Sequence, residues 1–152
     1  MLIDHLSIIG VGLIGGSLAR ALRKAKFVNR VTGCNRNEDT LKKAIELDVI
    51  DDYSLNIEDA VAGADVVVIG TPLSTTEKIF PQIVASLKSS AVLTDVGSAK
   101  GSVVITAKKI MGDNFSHFVP GHPIAGTEQS GVEASFAELF IDHRVILTPL
   151  DV

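Results

Sequence analysis

Ile8-Ile9-Gly10-Val11-Gly12-Leu13-Ile14-Gly15-Gly16-Ser17 decides the fold of this chain. A short apolar run leads directly into a glycine-rich turn, and the turn leads directly into a helical pattern. In that setting GxGxxG reads as a dinucleotide-binding turn: Gly10 permits the bend, Gly12 lets backbone approach a pyrophosphate, and Gly15 lets the helix lie close on the strand. The phosphates then sit on free N–H groups of the helix start, at Leu13 and Ile14. The spacing alone is weak, because glycine supplies 13 of the 152 residues; the strand before it and the helix after it carry the argument.

Working outward, strand and helix patterns alternate. Strands are expected over Leu6 to Gly10, Val31 to Cys34, Ala64 to Gly70 and Ala91 to Asp95, with shorter candidates at His117 to Val119 and Val145 to Leu147. Helices are expected over Leu13 to Lys26 with an apolar face of Leu13, Leu18, Ala21 and Leu22, over Glu38 to Leu47, over Leu73 to Leu87 with a kink or break at Pro81, and over Ser98 to Met111. Asp51 to Ser54 reads as a turn. The β-branched run Val66-Val67-Val68-Ile69 has no polar alternation, which suits a central strand covered on both faces. Alternation of this kind implies right-handed βαβ units and therefore an α/β fold, a doubly wound and mostly parallel sheet of the Rossmann type. No repeat or linker divides residues 1–152, which read as a single dinucleotide-binding domain.

Composition narrows the partners. The net charge of −4, with 14 Lys and Arg spread along the chain, gives no basic stripe for nucleic acid or an anionic membrane. Asp4 and His5 interrupt the amino terminus and no apolar run approaches the ~20 residues of a membrane span, so a small-molecule partner and a cytoplasmic location are expected. Cys34 is the single cysteine and reads as a small buried strand residue. No His, Cys or carboxylate spacing matches a metal site.

In such a sheet ligands bind beyond the carboxyl ends of the strands, so the residues there are read for chemistry. Asn35 stands about 20 residues past Gly15, where NAD-binding folds carry an acid for the ribose, and Arg36 follows it. A neutral amide beside a guanidinium suits a 2′-phosphate, which favours NADP over NAD, although Asn35 can also bond a ribose hydroxyl. Thr71 and Pro72 follow the central strand and are placed under the cofactor. In Asp95-Val96-Gly97-Ser98-Ala99-Lys100-Gly101 a hydroxyl and a lysine stand at a helix start, suited to an anionic substrate or the nicotinamide ribose; Ser98 serves equally well as an N-cap. His122, held between Gly121 and Pro123, is poorly explained by packing and is the best general-base candidate. His5, His117 and His143 read as surface or strand-edge residues.

Three phrases taken in order carry a family resemblance. They are Gly10-Val11-Gly12-Leu13-Ile14-Gly15-Gly16-Ser17-Leu18, Thr94-Asp95-Val96-Gly97-Ser98-Ala99-Lys100-Gly101 and Gly121-His122-Pro123-Ile124-Ala125-Gly126-Thr127-Glu128-Gln129-Ser130-Gly131. Together they resemble the prephenate/arogenate dehydrogenases of tyrosine biosynthesis, from about Ile8 to Pro149. The resemblance implies NAD(P)-dependent oxidative decarboxylation of prephenate or arogenate. His122 then takes the proton of the ring hydroxyl, Ser98 is hydrogen-bonded near it, and Thr127 and Glu128 stand on the pocket rim. It also implies a carboxyl-terminal helical domain that supplies an arginine for the substrate carboxylate and forms a homodimer. The sequence stops at Leu150-Asp151-Val152, before such a domain, so the chain is expected to be a cofactor domain incomplete for turnover. Two other readings share the glycine turn: a non-catalytic nucleotide-binding or redox-sensing module, and a dehydrogenase acting on a small hydroxy acid or imine. The latter is not expected to carry the second and third phrases together.

Overall fold

The computed structural model describes residues 3–148. Seven strands form one sheet in the order β3-β2-β1-β4-β5-β6-β7: β1 (Ile3–Ile9), β2 (Val28–Cys34), β3 (Asp52–Ser54), β4 (Val66–Ile69), β5 (Val92–Asp95), β6 (Phe118–Pro123) and β7 (Val145–Leu147). All pairings are parallel except β6 with β7. Five α-helices connect them: α1 (Leu13–Lys24), α2 (Glu38–Glu46), α3 (Ile57–Val61), α4 (Thr76–Ser86) and α5 (Lys100–Met111). The expected doubly wound fold is found, with β4 fourth of the seven strands, and the order reverses between β1 and β4.

Alternation along each strand divides the core into two layers. Leu6, Ile8, Val31 and Val68 face α1 and α2, where Ala19, Leu41 and Ala44 cover them. Ile9, Val67, Ile69, Leu93 and Phe118 point the other way, toward α3, α4 and α5. There Phe80 and Phe118 meet edge to face with centroids 5.6 Å apart. Both layers are needed to cover a sheet whose inner strands are apolar on both faces. Cys34 is buried at the end of β2, as expected, and burial pushes its thiol up to about 11.

Several boundaries differ from the sequence reading. β1 starts at Ile3, because Asp4 and His5 are carried into the sheet by pairing with β2, and the His5 ring lies 2.8 Å from the Thr32 hydroxyl. β2 likewise starts earlier, at Val28. Residues Asp52–Ser54 form edge strand β3 rather than a turn, tied to β2 by the Thr32 hydroxyl donating to Asp52 (2.5 Å) and by Arg30. The fully buried stripe of α1 is Gly15, Gly16, Ser17 and Ala19, while Leu18 and Leu22 pack only at its margin. Helix α4 runs continuously through Pro81, which removes one intrahelical hydrogen bond at its middle without ending it. α5 begins at Lys100 with Ala99 as its N-cap, so Ser98 is not the cap.

The end of β6 is the difference that bears on function. The strand continues past Val119 through Gly121 and His122 because it changes partner: it pairs with β5 up to Asp95↔Pro120, then with β7 from Gly121↔Leu147 to Pro123↔Val145. His122 is therefore a strand residue overhanging the carboxyl end of β5, not a loop residue. His117 precedes β6 in a 3₁₀ turn, its ring 3.2 Å from the Ala91 carbonyl. Among the described residues no helix is long and apolar enough to cross a membrane.

Candidate active site

The glycine turn has the geometry its spacing implies, and each glycine has a separate reason. Gly10 has φ +101°, and a Cβ there would lie 2.7 Å from the Gly70 carbonyl carbon. Gly15 packs α1 onto β1, where a Cβ would come within 2.7 Å of the Gly10 carbonyl oxygen. A Cβ at Gly12 would meet no protein atom within 4 Å. Gly12 is also the N-cap of α1, and no side chain caps that helix. The first N–H groups of α1 thus face open space, which is the requirement for an anion at a helix start.

Two adjoining clefts open over this turn. The outer one, about 370 Å³, is lined by Gly10, Gly12, Asn35, Arg36, Thr71 and Pro72 among others. The inner one, about 540 Å³, is lined by Leu13, Ile14, Thr71, Pro72 and Ser98, and by Gln129, Ser130 and Gly131. Gly12, Thr71, Pro72 and Gly131 line both, so the clefts form one groove along the carboxyl ends of β1, β2, β4 and β5. The structure brings together every residue expected to hold the cofactor except Gly15, which lies buried behind the turn.

Asn35 and Lys100 have different partners from those expected. The Asn35 side-chain oxygen accepts from Val11 N–H (2.8 Å) and its amide donates to Val11 O (3.3 Å), so the residue braces the glycine turn. Arg36 lines the same outer cleft and is exposed on its rim. Lys100 is not free for an anionic ligand: its Nζ is paired with the buried Asp95 carboxylate and donates to Gly121 O (2.6 Å).

Ser98 is exposed to the inner cleft, and His122 is half-buried on the overhang of β6. No hydrogen bond joins them among the described residues. Thr127 and Glu128 are exposed on the loop that follows β6 and contribute to neither cleft. The residues of that loop that do reach the groove are Gln129, Ser130 and Gly131, which close the third phrase and to which the sequence assigns no role. Gly131, at φ +90°, turns the chain back over α1, where Ser17 Oγ accepts from Phe136 N–H (3.1 Å) and Arg20 donates to Ser135 (3.0 Å). The serine-glycine pair was the available signal for this turn.

The family described as prephenate dehydrogenase, nucleotide-binding domain, matches residues 18–152. The chain belongs to this family. It is 40% identical over 147 residues to the cyclohexadienyl dehydrogenase of Zymomonas mobilis, covering 95% of this chain and 49% of that protein. The crystal structure of A. aeolicus prephenate dehydrogenase in complex with hydroxyphenyl propionate and NAD+ superposes with a TM-score of 0.89 at 38% identity, covering 99% of this chain and 52% of that one. Synechocystis arogenate dehydrogenase superposes with a TM-score of 0.86 at 28% identity, covering 97% of this chain and 50% of that one. The chain thus spans about half the length of these relatives. As a prephenate dehydrogenase nucleotide-binding domain, it carries the open glycine turn and the groove that such a domain requires.

Proposed function

We propose that this chain is the cofactor-binding part of an NAD(P)-dependent dehydrogenase that oxidatively decarboxylates prephenate or arogenate. The observation that carries the reading is the uncapped start of α1 beneath an unobstructed Gly12, at the middle of a groove running from Arg36 to Ser98. Leu13 and Ile14 N–H would hold the pyrophosphate, Thr71 and Pro72 would support the dinucleotide from the β4 side, and Ser98 would stand at its nicotinamide end. Arg36 would pair with a 2′-phosphate, which favours NADP over NAD. Glu38, which opens α2, pairs with Lys42 at 3.3 Å rather than with Arg36.

When bound, the dinucleotide supplies the hydride acceptor. The chain's residues supply placement and a base. His122 would accept the proton of the substrate's ring hydroxyl as hydride leaves the carbinol carbon. Loss of the ring carboxylate as carbon dioxide then leaves its bonding electron pair in the ring and gives the phenolate, which would recover the proton from His122 to become the phenol. Ser98 would bond the same hydroxyl, and Thr127 and Glu128 would border the substrate once the loop bearing them meets a second domain. We assign residues 1–152 to the dinucleotide-binding domain, with a helical carboxyl-terminal domain completing the carboxylate site and a homodimer, in the cytoplasm.

The test joins this chain to the carboxyl-terminal half of the Zymomonas mobilis relative and follows dinucleotide reduction with prephenate and with arogenate. His122→Asn is expected to lower turnover about 10²–10⁴-fold, the usual worth of a positioned base, with dinucleotide affinity unchanged. Parental turnover in His122→Asn overturns the assignment. Dinucleotide binding without turnover on either substrate indicates a binding module instead.

A further inference from the structure

Ser98 and His122 come from different elements, and nothing links their side chains directly. What links their backbones is one buried ion pair. Asp95 ends β5 and is 3% exposed. Its Oδ2 accepts from Gly97 N–H (3.0 Å), one residue before Ser98, and its Oδ1 accepts from Gly121 N–H (3.3 Å), one residue before His122. Lys100, at the first turn of α5, pairs with Oδ2 and donates to Gly121 O (2.6 Å). Both main-chain groups of Gly121 are therefore held by the two members of a single pair.

The local packing requires this arrangement. A Cβ at Gly97 would lie 3.0 Å from Asp95 Oδ2 and 2.7 Å from Leu73 Cδ2, and a Cβ at Gly121 would lie 2.9 Å from Asp95 O. The two glycines let two chain segments close on one carboxylate. Gly121 is also where β6 leaves β5 for β7: the pairing with β5 ends at Pro120, and Gly121 is the first residue paired with β7. A buried charge pair is weak as a source of stability but effective at enforcing one arrangement, since either group alone would be buried uncompensated. Thr94 Oγ1, donating to Val119 O (2.7 Å), secures the preceding part of β6 but makes no hydrogen bond to Gly121.

We propose that the Asp95–Lys100 pair is a positioning device that sets the Gly97–Ser98 turn and the Gly121–His122 segment against each other. Neither Asp95 nor Lys100 lines either cleft; they act through the two glycine peptides. The catalytic consequence rests on His122 being the base, whereas the geometric claim does not.

The test uses the isotopically labelled 152-residue chain and the variant Lys100→Met, which keeps the aliphatic stem and removes the donors. Amide exchange at Gly97 and Gly121 is expected to accelerate at least about tenfold while Leu6 and Val31 keep their protection. His122 side-chain couplings should change from one rotamer to an average, and NADP affinity should stay within about threefold. Lys100→Arg, which retains the charge, should restore much of the protection. Should Lys100→Met fail to fold, the neutral double variant Asp95→Asn/Lys100→Met carries the same measurement. Unchanged exchange at Gly97 and Gly121 with a single His122 rotamer overturns the proposal, and so does a uniform loss of protection across the sheet, which would make the pair a general stabiliser. In the chimera described above, a positioning role lowers kcat at least tenfold and leaves the dinucleotide KM unchanged. Geometry that responds as expected with turnover unaffected would instead count against His122 as the base.

Discussion

Substituting Gly12 by Val separates ligand binding from folding, because this position meets the solvent side of the turn and nothing else. Its Cβ would find no protein atom within 4 Å, and its φ of −119° is open to any residue. The folded state therefore loses little: an apolar residue at an N-cap costs about 1 kcal/mol, or roughly 2–4 °C in midpoint for a chain of this size. The ligand loses far more, since the branched side chain fills the space a pyrophosphate must enter to reach Leu13 and Ile14 N–H. Two charge-assisted hydrogen bonds at about 1.5–3 kcal/mol each sum to about 3–6 kcal/mol, roughly a 10²–10⁴-fold loss of affinity. Calorimetric titration with NAD and NADP measures the loss, and a thermal scan measures the fold. Gly10→Ala gives the opposite pattern, because φ +101° adds about 1–2 kcal/mol of strain and the new Cβ meets the Gly70 backbone at 2.7 Å. Its unfolding midpoint falls well beyond that of Gly12→Val. Equal affinity in Gly12→Val and the parent would refute the placement of the nucleotide.

Arg36→Ala should weaken NADP by roughly 10- to 100-fold, the worth of one charge-assisted contact, and leave NAD nearly unchanged; equal loss for both removes the 2′-phosphate role. Cys34, whose thiol is pushed from 9.0 to about 11 by burial, should react with iodoacetamide at pH 8 about 100-fold more slowly than a free thiol on thiolate fraction alone, until denaturant exposes it. Stability should fall in acid. Glu38, Asp65 and Glu138 are held below the ordinary carboxylate range by Tyr53, Lys88 and Lys24 respectively. Their contributions are therefore present above the ordinary values and lost as pH falls through the lowered ones, and Lys88→Met should remove the Asp65 share of that acid limb in a series of thermal scans.

Much of the framework was legible because it is local. The Val66–Ile69 run can only be an inner strand, and the glycine turn between an apolar run and a helix permits few other readings. Elements made by tertiary pairing were not legible. Asp52-Tyr53-Ser54 has turn chemistry, and it becomes a strand because β2 offers an unpaired edge and Thr32 and Arg30 offer partners for Asp52. His122 enters a strand because β7, more than 20 residues later in the chain, supplies the ladder that β5 no longer provides. At the site, the residues read from the sequence lie at the strand ends, but two of them have partners that spacing does not suggest. Asn35 occupies the position of a ribose acceptor yet bonds Val11, and Lys100 stands at a helix start yet is neutralised by Asp95. Spacing identifies which residues reach the strand ends; only the packed structure determines which of them remain free.

The central claim is that a nicotinamide dinucleotide lies along the groove with its redox end toward Ser98 and β6, and a crystal structure of this chain with NADP tests it most directly. The account predicts pyrophosphate oxygens about 2.7–3.2 Å from Leu13 and Ile14 N–H, the adenosine ribose beside Arg36, and the nicotinamide ring at the Ser98 end. A dinucleotide bound outside the groove, or one reversed so that the nicotinamide lies against Arg36, would contradict it.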